Sequence, residues 1–244
     1  MEQAATRADR YGGRSPRDVP AYDVFEAARY LRIPERTVRN WVSGYYIPST
    51  GRRTAPVIDV ADRQRHLLSF VNLLELHVLD AIRNVHGVSM PRIRTAITYV
   101  RDELRVKRPL VDEEMETDGR DLFVHRLGQL IQASASGQTS MLEMLNVRLD
   151  RIERDPQGIA IKLFLFTRRR PQTAAEARQE PRIIAVDPQV AFGRPVIAGS
   201  RVPTSEVAER YKAGESISDL VRDYERPQEE IEEAIRCELS LEAA

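Results

Sequence analysis

The stretch "PERTVRNW" places Arg36, Thr37, Arg39 and Asn40 on one face of a short helix and turns Val38 and Trp41 to the other. Those four side chains suit the reading of a nucleic-acid duplex. An arginine fork fits guanine or phosphate, an asparagine amide fits adenine, and a threonine hydroxyl fits phosphate. Arg52 and Arg53 follow in "SGYYIPSTGRRTAPVID", a Gly/Pro-bearing stretch that predicts a short β-hairpin, or wing, with both arginines at its tip beside flanking phosphates. A second set lies far along the chain. Arg194 and Arg201 occur in "FGRPVIAGSRVPT", a Gly/Pro-stiffened hairpin with Phe192 and Val202 as apolar neighbours, placed to offer guanidinium groups to a partner's carboxylates. Pairing within the domain, to Asp187 or Glu206, is the other use of these two arginines.

These residues need helices behind them, and the pattern supplies them. Asp23 with Glu26 three residues on predicts a capping box, and Ala27, Ala28 and Leu31 form the apolar stripe of a first helix. "RIPE" breaks it, and Glu35–Val42 restarts it. From Ser69 a strong helix runs through "SFVNLLELHVLDAIRNV" to Gly87, with His77 on its apolar stripe as a core or interface histidine. Ser89 is the expected cap of "MPRIRTAITYVRDEL". "VDEEMETDGRD" reads as a solvated loop, with strand-like pieces at "DLFV" and "QLIQAS". Ser140 with Glu143 predicts the start of the helix "MLEMLNVRLDRIER", and "IAIKLFLF" reads as a strand. Beyond it come "RIIAV", an extended piece near "RPVIAG", and three short helices starting at Thr204, Ser216 and Pro227.

Charge is uneven although the 244 residues balance at zero. Residues 1–66 hold twelve arginines against eight acids, +4; residues 67–180 come to +1, and residues 181–244 to −5. A basic head suits nucleic acid and an acidic tail does not. The last helix carries Glu229, Glu230, Glu232 and Glu233, four like charges expected to repel a phosphate backbone. No apolar run nears the roughly 18 residues of a membrane span, and "MEQAATRADRYGGRSPRD" lacks the apolar centre of an export signal. With the single Cys237 there is no internal disulfide, so the cytoplasm is the expected location. Four histidines and that cysteine lack metal-ligand spacing. "EMETDGRDLFVH" starts like a calcium loop but puts His125 where a bidentate glutamate belongs. No phosphate-cradling glycine loop or nucleophile elbow is present, so no enzyme activity and no cofactor are expected.

Two resemblances sharpen this. "YDVFEAARYLRIPERTVRNWVSGYYIP", continued by "LLELHVLDAIRNVHGVSMPRIRTAI", resembles the MerR-type winged helix–turn–helix over roughly residues 20–105. One departure is Arg32, at a turn position commonly filled by glycine. There it must either bear about 1 kcal/mol for a left-handed backbone or belong to a different turn. "IIAVDPQVAFGRPVIAGSRVPTSEVAERYKAGESISDLVRDYERPQEEIEEAI" resembles the small antitoxin domain of domain-of-unknown-function family 433, over about residues 181–240. The combination is similar to VapB-type antitoxins.

The resemblances imply an antitoxin that binds a PIN-like ribonuclease through Arg194, Arg201, Phe192 and Val202. They also imply that it binds operator DNA through Arg36, Thr37, Arg39, Asn40, Arg52 and Arg53, repressing its own operon. A MerR-like regulator responding to a small ligand is the alternative. The expected fold is mainly α with small β elements. Its parts are a flexible arm (1–20), a DNA-binding domain (21–105), a mixed α/β middle region (106–170), a linker (171–180), and a β-hairpin plus homeodomain-like helical trio (181–244). The long apolar helices exceed what a monomeric head needs. A homodimer through residues 67–170, with 106–170 as its dimerisation region, is therefore expected, together with an inverted-repeat operator.

Overall fold

A computed structural model describes residues 11, 13–49, 51–84, 89–105, 108–111, 135–168 and 170–242. The strand-like pieces at "DLFV" and "QLIQAS", most of the acidic loop before them, His86, Gly87 and His125 lie outside the described residues, as do residues 1–10 of the arm. The described chain is mainly helical with small sheets.

The head begins as its sequence predicts. Helix α1 (Val24–Leu31) has Asp23 as N-cap: its carboxylate accepts from the Glu26 N–H at 2.7 Å, and Glu26 accepts from the Asp23 N–H at 3.0 Å. Such a box contributes about 1 kcal/mol. Helix α2 (Glu35–Ser43) packs on it, burying Val38, Trp41 and Val42 against Ala27, Ala28 and Leu31. The turn between them is left-handed at Arg32 (φ 54°, ψ 37°), and Arg32 is no stray substitution. Its guanidinium leaves the head and donates to three consecutive carbonyls, Phe166 (2.7 Å), Thr167, and Arg168 (3.3 Å). Glycine would spare the backbone strain but could not reach those carbonyls.

Helix α3 (Phe70–Asn84) is the central strut. Every residue from Phe70 to Ile82 is buried, polar Asn72, Glu75, His77 and Asp80 included. It packs on α1, on α4 (Met90–Leu104) and most extensively on α5 (Ala135–Leu149). Its apolar surface is therefore consumed inside one chain. That removes the reason for assigning dimerisation to it, because a helix covered on all sides has no stripe left for a second copy. Helix α5 starts at Ala135, ahead of the expected Ser140, and stops at Leu149, where "IER" leaves it as a strand. Ser89 holds the N-cap position of α4 without a side-chain hydrogen bond.

The sheet changes the expected domain layout. Strands β3 (Ile152–Arg154), β4 (Ala160–Phe164), β5 (Ile184–Val186) and β6 (Pro195–Ile197) form one antiparallel sheet in that order. Leu163 faces Val186 and Phe164 faces Ala185, so the middle region and the tail share backbone hydrogen bonds. Residues 171–180, read as a linker, hold helix α6 (Ala174–Gln179), capped by Thr173 and burying Ala174 and Ala177 against α5. Ala174 and Ala177, three apart, share one helix face, and the flanking arginines and prolines disguised it. Helices α7 (Thr204–Lys212), α8 (Ile217–Tyr224) and α9 (Gln228–Glu242) complete the tail, with α9 packed on α7, β5 and β6. Ser216 caps α8 as expected, accepting from the Asp219 N–H at 3.1 Å.

His77 is buried on the strut, with Nε2 donating to the Arg148 carbonyl at 3.0 Å and the ring stacked on Phe166. Burial first, and then the Arg148 charge, hold its pKa well below 6.5, so it stays neutral in the fold. The unfolded chain takes up this proton below pH about 6.5 and the folded chain does not, so stability falls as pH drops through that value. The melting temperature is expected to decline between pH 7.5 and 5.5, and less steeply in His77→Gln, measured by calorimetry in matched ionic strength. A second expectation concerns dissection. A fragment starting at residue 178 loses the β4 partner of β5, whereas one starting at residue 150 keeps it. Circular dichroism melts should show a cooperative transition for residues 150–244 and a weaker or absent one for residues 178–244.

Candidate functional site

The expected DNA-reading residues come together on the outer face of the head. On α2, Arg36 and Arg39 are exposed, and Thr37 and Asn40 are half-buried at the rim of the same face. The inward set, Val38, Trp41 and Val42, fixes the helix so that this face points out. Arg39 is paired with Glu35 one turn earlier, both exposed, so the pair is weak and a phosphate could replace the carboxylate. A hairpin follows: β1 (Tyr46–Ile47) pairs antiparallel with β2 (Arg52–Arg53). The arginines begin its return strand instead of capping its tip, which is the turn ending at Gly51. Arg53 leans back to the Ser43 carbonyl at the end of α2 at 3.4 Å, while Arg52 is exposed. Gly44, with φ +71°, anchors the hairpin base, since a Cβ there would lie 2.0 Å from the Thr54 carbonyl oxygen. Tyr46 is exposed opposite Arg53 and went unremarked in the sequence, where only the aromatic pair "YY" marked it.

The tail's expected partner-binding residues divide. Arg194 and Arg201 are exposed, and neither guanidinium makes a hydrogen bond or ion pair with another described residue. The alternative of pairing with Asp187 or Glu206 is therefore not what the fold adopts. Phe192 is 80% exposed and stands at φ +57°, directly after Ala191 at φ +47°. Two successive left-handed non-glycine residues cost on the order of 1–2 kcal/mol each, a strain found mostly where geometry serves recognition. Val202 is different: it is half-buried against the core, and its carbonyl accepts from the Ile197 N–H, so it shapes the hairpin from inside.

Gly193 explains why the strained pair is held. The Tyr22 hydroxyl, buried, donates to the Gly193 carbonyl at 3.0 Å, and a Cβ on Gly193 would lie 2.1 Å from that oxygen. Burial raises the Tyr22 pKa far above its usual 10, keeping the phenol protonated as the donor. Tyr22 belongs to the head, so the head seats the tail's hairpin. Around this seat Tyr11, Pro16, Val19, Pro20, Pro188 and Phe192 line a cleft of about 250 Å³.

The acidic tail also needs correction. Glu233, counted among four phosphate-repelling glutamates, is fully buried, where it accepts from Thr167, pairs with Arg236 and lies 3.5 Å from Arg168. Glu230 is paired with Arg226 at 2.7 Å and Glu232 accepts from Gln228 at 2.6 Å. Only Glu229 of the four is exposed, so the helix presents far less negative charge than its sequence suggests.

Comparison with known proteins falls on the same two regions. Residues 184–236 match the family described as "Protein of unknown function (DUF433)", and residues 20–97 match the family described as "Putative DNA-binding HTH domain". The chain is 28% identical over 242 residues to "Putative antitoxin VapB45" of Mycobacterium tuberculosis, covering 89% of this chain and 93% of that one. It is 25% identical over 226 residues to "Uncharacterized protein Rv2308" of the same organism, covering 89% and 90%. The crystal structure of Rv2018 from Mycobacterium tuberculosis superposes with a TM-score of 0.61 at 21% identity, over 89% of this chain and 98% of that one, and so shares the fold. The chain thus carries a helix–turn–helix head matching the family described as "Putative DNA-binding HTH domain", followed by a DUF433 domain, and over most of its length it resembles a protein named "Putative antitoxin VapB45".

Proposed function

We propose that this chain is the antitoxin of a bacterial type II toxin–antitoxin pair. In this reading it neutralises a PIN-like ribonuclease by direct binding and represses its own operon through DNA. The observation that carries the reading is the pairing of two outward, differently built arginine surfaces on one folded unit. The α2 face, with Arg36, Thr37, Arg39 and Asn40 beside Arg52 and Arg53, has the side chains and the width of a groove reader. The hairpin offers the Arg194 and Arg201 guanidiniums, unpaired among the described residues, beside an exposed aromatic, the composition of a protein-docking centre. A metal-holding carboxylate cluster, the usual heart of a PIN-like nuclease, is the chemical complement of such arginines.

Recognition of an inverted repeat by a homodimer belongs to the same proposal, because one small head reads few base pairs against a genome of competing sites. Since α3 is spent on intrachain packing, the dimer contact has to use another surface.

The test uses the full-length protein and fluorescent duplex DNA from the region upstream of its own gene. Arg36→Ala and Arg39→Ala should each weaken binding by about 1–3 kcal/mol and flatten the salt dependence by roughly one counterion per lost phosphate contact. The Arg194→Ala, Arg201→Ala double change should leave DNA affinity intact. Equal loss from both sets would sink the separation of surfaces, and no binding by the unaltered protein would remove the repressor role.

A further inference from the structure

Six large hydrophobic side chains are exposed among the described residues, and two of them, Phe192 and Phe25, stand beside residues that join head to tail. Phe192 follows from the Tyr22–Gly193 contact, which joins the two halves at 3.0 Å. Phe25, 54% exposed on α1, lies under the guanidinium of Arg29, which sits 5.4 Å above its ring. Arg29 in turn reaches Glu238 of α9 at 4.0 Å, and Leu239, next in sequence, is exposed. Tyr22 also packs edge-on against Tyr30, the residue after Arg29, so both head–tail contacts leave from residues 22–30 of the head. An aromatic from the helix–turn–helix and an aromatic from the hairpin thus flank the seam that the contacts between the halves form.

We infer that the protein partner docks across this seam, gripping Phe25 of the head together with Phe192, Arg194 and Arg201 of the tail. The inference rests on the proposed antitoxin function and adds where the ribonuclease must touch. The occupant is a folded protein that presents carboxylates around an apolar pocket. Among the described residues the Arg194 and Arg201 guanidiniums have no acidic partner, so the occupant supplies one, and Phe192 is held outward with 80% of its surface exposed. A standard protein interface covers about 800 Å² per partner, wide enough to take in a hairpin and a neighbouring helix turn. Exposed aromatic and arginine side chains at its centre are the residues expected to dominate affinity. DNA does not suit this surface, because the nucleic-acid face proposed above belongs to α2.

The experiment is calorimetric titration of the full-length protein with the purified ribonuclease encoded beside its gene. Phe192→Ser and Phe25→Ala are each expected to weaken binding about 10–30-fold. Phe25→Glu should weaken it further by setting a like charge against an acidic partner. Tyr99→Ser, exposed on α4 away from the seam, should match the unaltered protein. Melting curves of each variant should coincide with the parent, since all three side chains are exposed. Loss with Phe192→Ser but none with either Phe25 change would confine docking to the hairpin and overturn the seam, leaving the antitoxin reading intact. No loss with any of them would place the partner elsewhere. If the unaltered protein does not bind the nuclease at all, the antitoxin reading falls and the seam falls with it.

Discussion

Phe166 lies between two guanidinium groups, Arg148 at 4.5 Å and Arg151 at 4.2 Å from its ring centre, with His77 stacked beside it. Charge at this depth is costly unless it is satisfied. Arg148 is paired with buried Asp80, which also holds Arg170, and Arg151 donates to four carbonyls: Phe164, Leu165, Glu180 and Pro181. Burial lowers both arginines to about 10, which still leaves them charged near neutrality. The aromatic faces accept what charge the carboxylate does not, as cation–π contacts in a dry site do most effectively. Removing one member would strand another, a loss of about 3–5 kcal/mol for a buried pair.

Several of the contacts that join the halves converge on this point. Asp80 and His77 come from the strut α3, Arg148 from α5, and the Phe166 carbonyl receives Arg32 from the helix–turn–helix turn. The carbonyls held by Arg151 at 180 and 181 lead directly into β5, so the sheet edge is fixed by the same cluster. A head and a tail that look independent in sequence are therefore mechanically one body. A partner at the hairpin and a duplex at α2 would act on a shared frame, whatever each surface recognises.

The shared frame also explains the tail's charge. Its excess of acids is partly turned inward, with Glu233 held by Thr167 and Arg236 and Glu238 reaching Thr204 and Arg29. Outward-facing arginines then stand on a domain whose formal charge is −5, and they stand out because its acids are occupied elsewhere.

The sequence by itself determined what is local. The capping box at Asp23, the Val38/Trp41 side of α2, the Ser216 cap and the strands at 184–186 and 195–197 all follow from periodicity, capping chemistry and turn residues within a few positions of each other. The outward placement of Arg36, Arg39, Arg194 and Arg201 was legible for the same reason, since a helix face or a stiff hairpin sets direction without distant help. Only the tertiary structure decided the rest. Arg32 in a left-handed turn makes sense once carbonyls 134 to 136 positions away are beside it. Glu233 reads as surface charge until Thr167 arrives 66 residues distant, and α3 reads as a dimer helix until α5 covers it. Burial is set by which segments meet, and pairing between residues so far apart leaves no period in the sequence to read.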